Sequence, residues 1–262
     1  MNINEFISTL PISVVKGDNV SLPDEVIRRM FKLAKLSKKD IFYDLGCGSS
    51  NAVYIASTEN RVKKAIGIEK RKKSVASLLE KTRSLRNVRI IINDMRKVNI
   101  SDGNVFLFWF HDEKMIDQMM KKFSTELKEG SRIITVWSPP GLVIPNKSDF
   151  PFFVSRIPFK FAKSIEDQIK AIHGQKCLDF TASWVLGDKY LESLGVVPDQ
   201  YKRFLNILYA MIIWINAWNM KVSCEDEIPP PVESYIGILR TFFSIDLKSL
   251  IEDRDKDRIY NN

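Results

Sequence analysis

The amino-acid sequence predicts an α/β fold class, with a doubly wound sheet followed by an appended C-terminal α-helical subdomain. Short apolar runs alternate with helix-like segments through the first 137 residues, which is the order expected of βα units and a mainly parallel sheet. A glycine-rich turn, Gly46-Cys47-Gly48, directly follows the first of these runs. After Pro139-Pro140-Gly141 the apolar residues take helical spacing.

The first strand and the first helix of the sheet are joined by the glycine-rich turn. The run Asp40-Ile41-Phe42-Tyr43 is β-prone, and Asn51–Ser57 has the residues to open a helix. Gly46 and Gly48 allow a sharp turn and a close approach of the backbone to a ligand, which a Cβ would prevent. A strand, a Gly-x-Gly turn and a helix form the start of a nucleotide-binding βαβ unit.

Two carboxylates narrow the ligand that this unit would bind. Glu69 ends a second apolar strand, Ala65–Ile68, at the position where a carboxylate binds a ribose diol. The usual third glycine of a dinucleotide site is replaced by Asn51, and Asp44 is poorly suited to lie beside a pyrophosphate. We therefore expect an adenosine cofactor that carries a cationic amine.

The remaining elements of the sheet follow in the order of a doubly wound fold. The pattern predicts three further strands at Val88–Ile92, Val105–Phe110 and Arg132–Val136, and a late strand at Phe150–Ser155. It predicts a helix at Glu113–Leu127.

The pattern Asp44-x-Gly46-x-Gly48 with Glu69 resembles the first two motifs of the class I S-adenosylmethionine-dependent methyltransferases. The resemblance implies a Rossmann-like doubly wound methyltransferase sheet and S-adenosyl-L-methionine as the cofactor. Members of this family usually have an acidic residue and a third glycine where this chain has Ser49-Ser50, whose hydroxyls can bond the cofactor's carboxylate. The implied cofactor-binding residues are Asp44, Gly46, Gly48, Ser49, Ser50, Glu69, Lys70, Asp94 and Met95.

The lead-in Leu22–Met30 is similar to that of the archaeal protein lysine methyltransferases of this fold. In that family the segment around the proline, here Pro23, folds over the cofactor. The similarity covers roughly residues 20–137 and implies transfer of methyl groups to protein lysine amines.

Candidate catalytic residues follow the fourth predicted strand, at the end that faces the site in this fold. Trp109 and Phe110 would form the wall of a dry channel, which favours a neutral lysine amine. His111 is a candidate general base, because imidazole is the side chain whose ordinary pKa is nearest neutrality. The Asn/Asp-Pro-Pro-Tyr signature of adenine-N6 and glutamine methyltransferases does not follow this strand, and the sequence predicts no metal site.

Charge leaves two alternatives to protein methylation open. Residues 1–150 carry a net charge of +9, and residues 151–262 carry −1. Basic runs such as Lys70–Lys73 attract RNA, DNA or an acidic protein surface, or they form a solvated helix face. The alternatives are an RNA (tRNA) methyltransferase and a non-catalytic cofactor-binding module that docks a partner through its helical half.

The domain organisation expected from these patterns has three parts. Residues 1–20 form a lead segment, residues 21–157 the S-adenosylmethionine-binding domain, and residues 158–262 an α-helical subdomain that serves as a substrate cap or an oligomer interface. Helices are expected over residues 164–172, 181–194, 198–215 and from 232 onward. The apolar run from Phe204 is shorter than the ~20 residues of a membrane span, so we expect it to be buried within the protein or in a homo-oligomer.

The cysteines and the N-terminal residues predict a cytoplasmic protein. Cys47, Cys177 and Cys224 are odd in number and far apart, so we expect neither a disulfide nor a zinc site, as in a reducing compartment. The start, Met1–Glu5, lacks the basic region and apolar run of a signal peptide.

Overall fold

The structure is a computed structural model that describes residues 22–110, 112–194 and 199–251. The described chain divides into two compact units, one ending at Ser164 and one beginning at Ile165. The short strand after Ile157 also belongs to the first unit, whereas the domain expected from the sequence ends at residue 157.

Parallel strands form most of the first unit. Its strands are β1 (Ile41–Leu45), β2 (Lys64–Glu69), β3 (Val88–Ile92), β4 (Val105–Phe108), β5 (Arg132–Val136), β6 (Val143–Ile144), β7 (Lys147–Asp149), β8 (Phe152–Arg156) and β9 (Lys160–Phe161). Seven of them form one sheet with the order β3-β2-β1-β4-β5-β8-β7, and β6 pairs with β9. Strands β1 to β5 are parallel to one another, whereas β8 runs antiparallel to both β5 and β7. The sheet is therefore doubly wound, as predicted.

Helices cover both faces of this sheet. They are α1 (Asp24–Ala34), α2 (Ala52–Thr58), α3 (Ala76–Thr82) and α4 (Glu113–Glu126). Apolar side chains of α1, α2 and α3 pack on one face together with Phe42, and those of α4 pack on the other face together with Tyr43. Successive strand residues point to opposite faces, so β1 contributes to both cores. Strand β4 ends at Phe108 rather than at Phe110.

Arg132 holds the C-terminal end of α1 against the sheet. Its guanidinium donates to the carbonyl oxygens of Ala34 and Lys35, at 2.7 and 2.9 Å, and it also bonds Asp40. Lys35 ends the helix in a left-handed conformation with φ 53°. Because this end is attached beside the start of β1, the first turn of α1 lies toward the opposite end of the strand.

The second unit is helical. It contains α5 (Ile165–His173), α6 (Phe180–Leu194), α7 (Asp199–Asn219) and α8 (Pro230–Phe243). A Cβ on Gly187 would lie 3.0 Å from the backbone nitrogen of Ala210, so α6 and α7 pack with their backbones close together. Helix α8 begins at Pro230 rather than after the proline run, because proline is tolerated in the first turn, where its missing N–H is not needed.

Helix α7 packs its apolar side chains within this unit. Met211, Trp214, Ile215 and Trp218 are buried against residues of α8. No helix of the described residues combines the length and apolar character that crossing a membrane requires.

The prediction that the cysteines form no disulfide was wrong. Cys177 and Cys224 are bonded, with a Cα–Cα distance of 5.0 Å. The chain before α6 lies beside the chain after α7, where the Leu178 nitrogen donates to the Val222 carbonyl oxygen at 2.9 Å. The two cysteines are 47 residues apart, so their pairing depends on tertiary contacts that local patterns do not show. The cysteine content therefore gives no support for a reducing compartment.

Candidate functional site

The carboxyl ends of β1 to β4 meet at a cavity of about 470 Å³. This volume lies within the range of about 300–1,000 Å³ typical of cofactor and small-molecule sites. Every residue that lines the cavity belongs to the first unit. The lining includes all the cofactor-binding residues expected from the sequence except Pro23, namely Asp44, Gly46, Gly48, Ser49, Ser50, Glu69, Lys70, Asp94 and Met95.

The glycine turn is attached to the end of β2 by its backbone. The Gly46 and Cys47 nitrogens donate to the Ile68 carbonyl oxygen at 2.8 and 3.0 Å, and the Gly48 nitrogen donates to Glu69 Oε2 at 3.2 Å. Gly46 and Gly48 have φ values of +82° and +48°, a region that L-residues rarely adopt. A Cβ on Gly48 would meet nothing within 4 Å, so the backbone is open to a ligand there.

Cys47 is a packing residue. Its side chain is buried, and its Sγ would lie only 2.8 Å from a Cβ placed on Gly67 of β2. Burial, together with the nearby Asp44 and Glu69 carboxylates, raises the pKa of its thiol, which disfavours the reactive thiolate.

Asp44 is a buried carboxylate with an unsatisfied oxygen. Its side chain lines the cavity, the residue is 4% exposed, and Oδ2 has no hydrogen-bond partner among the described residues. Burial, followed by repulsion from Glu69, raises the pKa of Asp44 to about 7. A buried carboxylate without a partner is costly, and a cationic amine in the cavity would remove that cost. The site therefore fits the cationic methionine end of S-adenosylmethionine.

Glu69 connects the end of β2 to two turns. Its Oε1 accepts from the Arg71 nitrogen at 2.8 Å, and its Oε2 accepts from the Gly48 nitrogen. A carboxylate has about four acceptor positions, so both oxygens keep capacity for ribose hydroxyls. The carboxylate is thus held in place before any ligand arrives.

Asp94 and Met95 follow β3 and line the cavity beside the end of β2. The Asn93 nitrogen donates to the Glu69 carbonyl oxygen at 3.0 Å, which places this turn beside β2. Arg96 donates to Asp94 through Nε at 2.9 Å, and this guanidinium holds the pKa of the Asp94 carboxyl well below its usual range. Met95 is buried and presents an apolar surface beside Asp94.

A contact between the lead-in and the glycine turn was not predicted from the sequence. Asn51 Nδ2 donates to Asp24 Oδ1 at 2.7 Å, and Lys81 Nζ donates to Asn51 Oδ1 at 2.9 Å. This links the first residue of α1 to the start of α2, so the lead-in lies beside the cavity. Leu22 lines the cavity, whereas its neighbour Pro23 does not. The sequence carried one indication of this contact: Asn51 replaces the third glycine, and its side-chain amide can both donate and accept hydrogen bonds.

Trp109 and Phe110 both line the cavity after β4. The Phe110 ring lies over the glycine turn, since a Cβ on Gly46 would be 2.5 Å from its Cζ. Asp112 caps α4 by accepting from the Met115 nitrogen at 2.6 Å, which fixes the end of this connection. His111, the candidate base, lies outside the described residues.

Two comparisons with known proteins match the part of the chain that builds this cavity. Residues 19–103 match the model of the family described as histone methylation protein DOT1. A protein-lysine N-methyltransferase of Saccharolobus islandicus is 33% identical over 120 residues, which cover 44% of this chain and 73% of the relative.

The chain belongs to the family of this relative, the class I S-adenosylmethionine-dependent methyltransferases.

The fold of this methyltransferase also matches a solved structure. An RNA methyltransferase from Salinibacter ruber, in complex with S-adenosyl-L-homocysteine, has a TM-score of 0.51 and 20% sequence identity. The match covers 55% of this chain and 98% of that one. At this identity the likeness shows the shared fold, and the methyl acceptor has to be argued from other observations.

Proposed function

We propose that this methyltransferase transfers methyl groups to the ε-amines of lysine residues in proteins. The observation that carries the proposal is the 33% identity to a protein-lysine N-methyltransferase over 120 residues. The match of residues 19–103 to a histone methylation family supports the same acceptor, and this range contains the glycine turn, Glu69 and Asp94.

The proposed roles of the cavity residues follow from their positions. Asp44 would hold the cationic amine of the cofactor and Glu69 its ribose hydroxyls. Asp94 and Met95 would contact the adenine, and the hydroxyls of Ser49 and Ser50 the carboxylate. Two further cofactor contacts are predicted: Lys70, which is exposed and lines the cavity, and Pro23, which does not line it. When bound, S-adenosylmethionine supplies a methyl group already activated by the sulfonium.

Trp109 and Phe110 would prepare the acceptor. A lysine amine attacks only in its neutral form, and an apolar passage disfavours the ammonium. The Phe110 ring over Gly46 gives the cavity an apolar surface there. His111 remains the predicted base for the departing proton.

Methyl transfer from labelled cofactor tests the acceptor. The purified protein would be incubated with S-adenosylmethionine carrying a deuterated methyl group and with separate protein and RNA fractions of a lysate. We expect labelled methyl-lysine in digested protein, found by mass spectrometry, and none with the Asp44→Asn variant. Label confined to RNA nucleosides would make RNA the acceptor. Cofactor binding without label in either fraction would indicate a non-catalytic binding module.

A further inference from the structure

The amino edge of the sheet lies opposite the cavity. In a parallel sheet the connections that enter β1, β2 and β3 all arrive at this edge. Strand β1 spans five residues, and at ~3.3 Å per residue its two ends are ~15 Å apart. A ligand on the amino edge would therefore not touch the cofactor cavity.

Hydrogen bonds hold these three connections together. The Lys63 nitrogen donates to the Asp40 carbonyl oxygen at 2.9 Å, which joins the connections before β2 and β1. Asn87 Nδ2 donates to the Val62 carbonyl oxygen at 2.8 Å, which joins those before β3 and β2. The connections thus form one continuous surface on a rigid support.

This surface is strongly basic. We define the amino-edge surface by eight exposed side chains: Lys38, Lys39, Arg61, Lys63, Lys64, Arg83, Arg86 and Arg89. Among the described residues, one of these eight side chains forms an ion pair: Lys64, with Asp102 at 3.8 Å.

Two carboxylates close to the amino-edge surface are paired with arginines outside it, so they neutralise little of its positive charge. Asp40 is bonded by Arg132, and Glu59 by Arg28 at 2.8 Å. Neither of these arginines belongs to the amino-edge surface, so both carboxylates are already paired elsewhere.

A second cavity, of about 340 Å³, opens beside this edge. Its lining includes the cations Lys64, Arg86 and Arg89 and one carboxylate, Asp102. Asp102 is already bonded, because it accepts from the Tyr43 hydroxyl at 2.6 Å and pairs with Lys64. Three cations against one carboxylate leave this concavity with a net positive charge, which suits a phosphate group.

We propose that the amino-edge surface binds the phosphate backbone of nucleic acid, at a site separate from methyl transfer. Protein interfaces are enriched in aromatic residues and depleted in lysine. This surface has four lysines and no aromatic residue in its three connections, which favours nucleic acid over an acidic protein. Contacts to phosphate carry no base information, so binding is not sequence-specific.

Salt-dependent binding of two charge-matched variants tests the proposal. The edge variant carries Lys39→Gln, Lys63→Gln, Arg83→Gln and Arg86→Gln. The control carries Lys170→Gln, Lys176→Gln, Lys189→Gln and Lys248→Gln, all exposed in the helical unit. Each variant replaces four cations, so the two variants have the same net charge. The probes are a labelled DNA duplex of about three helical turns and an RNA duplex of the same length, titrated at several salt concentrations.

We expect the wild type and the control to bind with the same steep salt dependence. The edge variant should have a shallower slope of log K against log salt, by about 0.9 for each lost phosphate contact, and at least about tenfold weaker binding at low salt. Its affinity for S-adenosylmethionine should be unchanged, which also verifies its folding. Equal losses in both variants, or no binding by the wild type, would overturn the proposal. So would methyl transfer to the bound nucleic acid.

Discussion

Three carboxylates at the ends of adjacent strands have different environments in this protein. Asp44 near the end of β1 is buried with one oxygen unpaired, Glu69 at the end of β2 accepts from two backbone nitrogens, and Asp94 after β3 is paired with Arg96. The pKa of Asp44 is raised by burial, and the pKa of Asp94 is lowered by its arginine. Only Asp44, of these three, is therefore destabilising in the absence of a cationic ligand.

We expect Asp44→Asn to stabilise the free protein and to weaken cofactor binding. The folded-state pKa of Asp44, about 7, is above the unfolded value of about 3.9. Ionising this group therefore lowers the free energy of unfolding as pH rises from about 4 through 7. Denaturant unfolding should show a more stable variant at pH 8 and little difference near pH 4. Calorimetry should show a loss of about 1.5–3 kcal/mol in affinity for S-adenosylmethionine.

The pH dependence of binding provides the control for this substitution. A cationic amine favours ionised Asp44, so wild-type affinity should rise from about pH 6 to about pH 7.5 and should fall once the amine loses its own proton, at a pKa of about 8. The Asp44→Asn variant should lack this rise. A variant that lost both stability and affinity at pH 8 would contradict the assignment, since Asp44 would then have a structural partner.

Substitution of Glu69 separates its structural bonds from its predicted ribose bonds. Glu69→Gln keeps one acceptor oxygen for a backbone nitrogen, whereas Glu69→Ala removes both. We expect Glu69→Ala to weaken cofactor binding by about 1–3 kcal/mol, with a smaller loss for Glu69→Gln. Calorimetric titration measures both, with NAD as the control ligand. Unchanged affinity in the Ala variant would place the ribose elsewhere.

At the scale of elements, the glycine turn, Leu22 just before α1 and the residues after β4 line the cavity. The turn is attached to β2 by hydrogen bonds, and α1 is linked to α2 by the bond between Asp24 and Asn51. Phe110 reaches back over Gly46 from the end of β4. Short connections from three elements therefore position the backbone that faces the cofactor, and the sheet provides their rigid base.

Gly46→Ala should destabilise the protein more than Gly48→Ala. Both positions have positive φ, which costs about 1–2 kcal/mol for an L-residue. At Gly46 the new Cβ would also meet the Phe110 ring at 2.5 Å, whereas at Gly48 it meets nothing within 4 Å. Denaturant unfolding measures the difference. In a Phe110→Ala background the two alanine variants should become similar, and an unchanged difference would exclude the ring as its cause.

The disulfide should stabilise the helical unit. Closing a loop with a sequence separation of 47 residues is worth about 2–4 kcal/mol. The Cys177→Ser and Cys224→Ser variants and their double variant should all lose the same free energy of unfolding, because each removes the bond. Reductant should destabilise the wild type and leave the double variant unchanged. In the unreduced, unfolded wild type, thiol titration should detect Cys47 alone, and three free thiols would exclude the bond.

At the scale of the whole molecule, the cofactor cavity and the basic surface are separate sites of one unit. The cavity is lined entirely by the first unit, and the amino-edge surface belongs to the same unit at the opposite end of the strands. The helical unit has its own core around Trp214. We propose that this unit is a separate domain, and its predicted role as a substrate cap or an oligomer interface stays open to test.

A fragment of residues 1–164 should fold and bind the cofactor. All lining residues lie in the first unit, so we expect its affinity for S-adenosylmethionine to be within about threefold of the full chain, a difference below about 1 kcal/mol. Calorimetry measures the affinity, and circular dichroism verifies folding. A folded fragment with much weaker binding would show that the helical unit contributes to the site.

Several residues of the cavity could be predicted because strand ends and glycine turns are local features. Asp44, Gly46, Gly48 and Glu69 are recognisable from apolar runs of four to six residues and their immediate neighbours. The bond between Asp24 and Asn51 and the position of Phe110 over Gly46 could not be predicted in this way. Both depend on how separate elements pack against each other.

The sequence by itself determined six of the seven strands of the large sheet, most of the helices and the class of cofactor, since hydrophobic periodicity and turn chemistry act over a few residues. The short strands β6, β7 and β9 were not predicted. Only the tertiary structure decided that Cys177 and Cys224 form a disulfide, because it joins segments 47 residues apart. It also decided that the basic side chains before β1, β2 and β3 form one surface. These side chains are dispersed along the chain, and parallel pairing of the strands brings their connections to the same edge, away from the cavity.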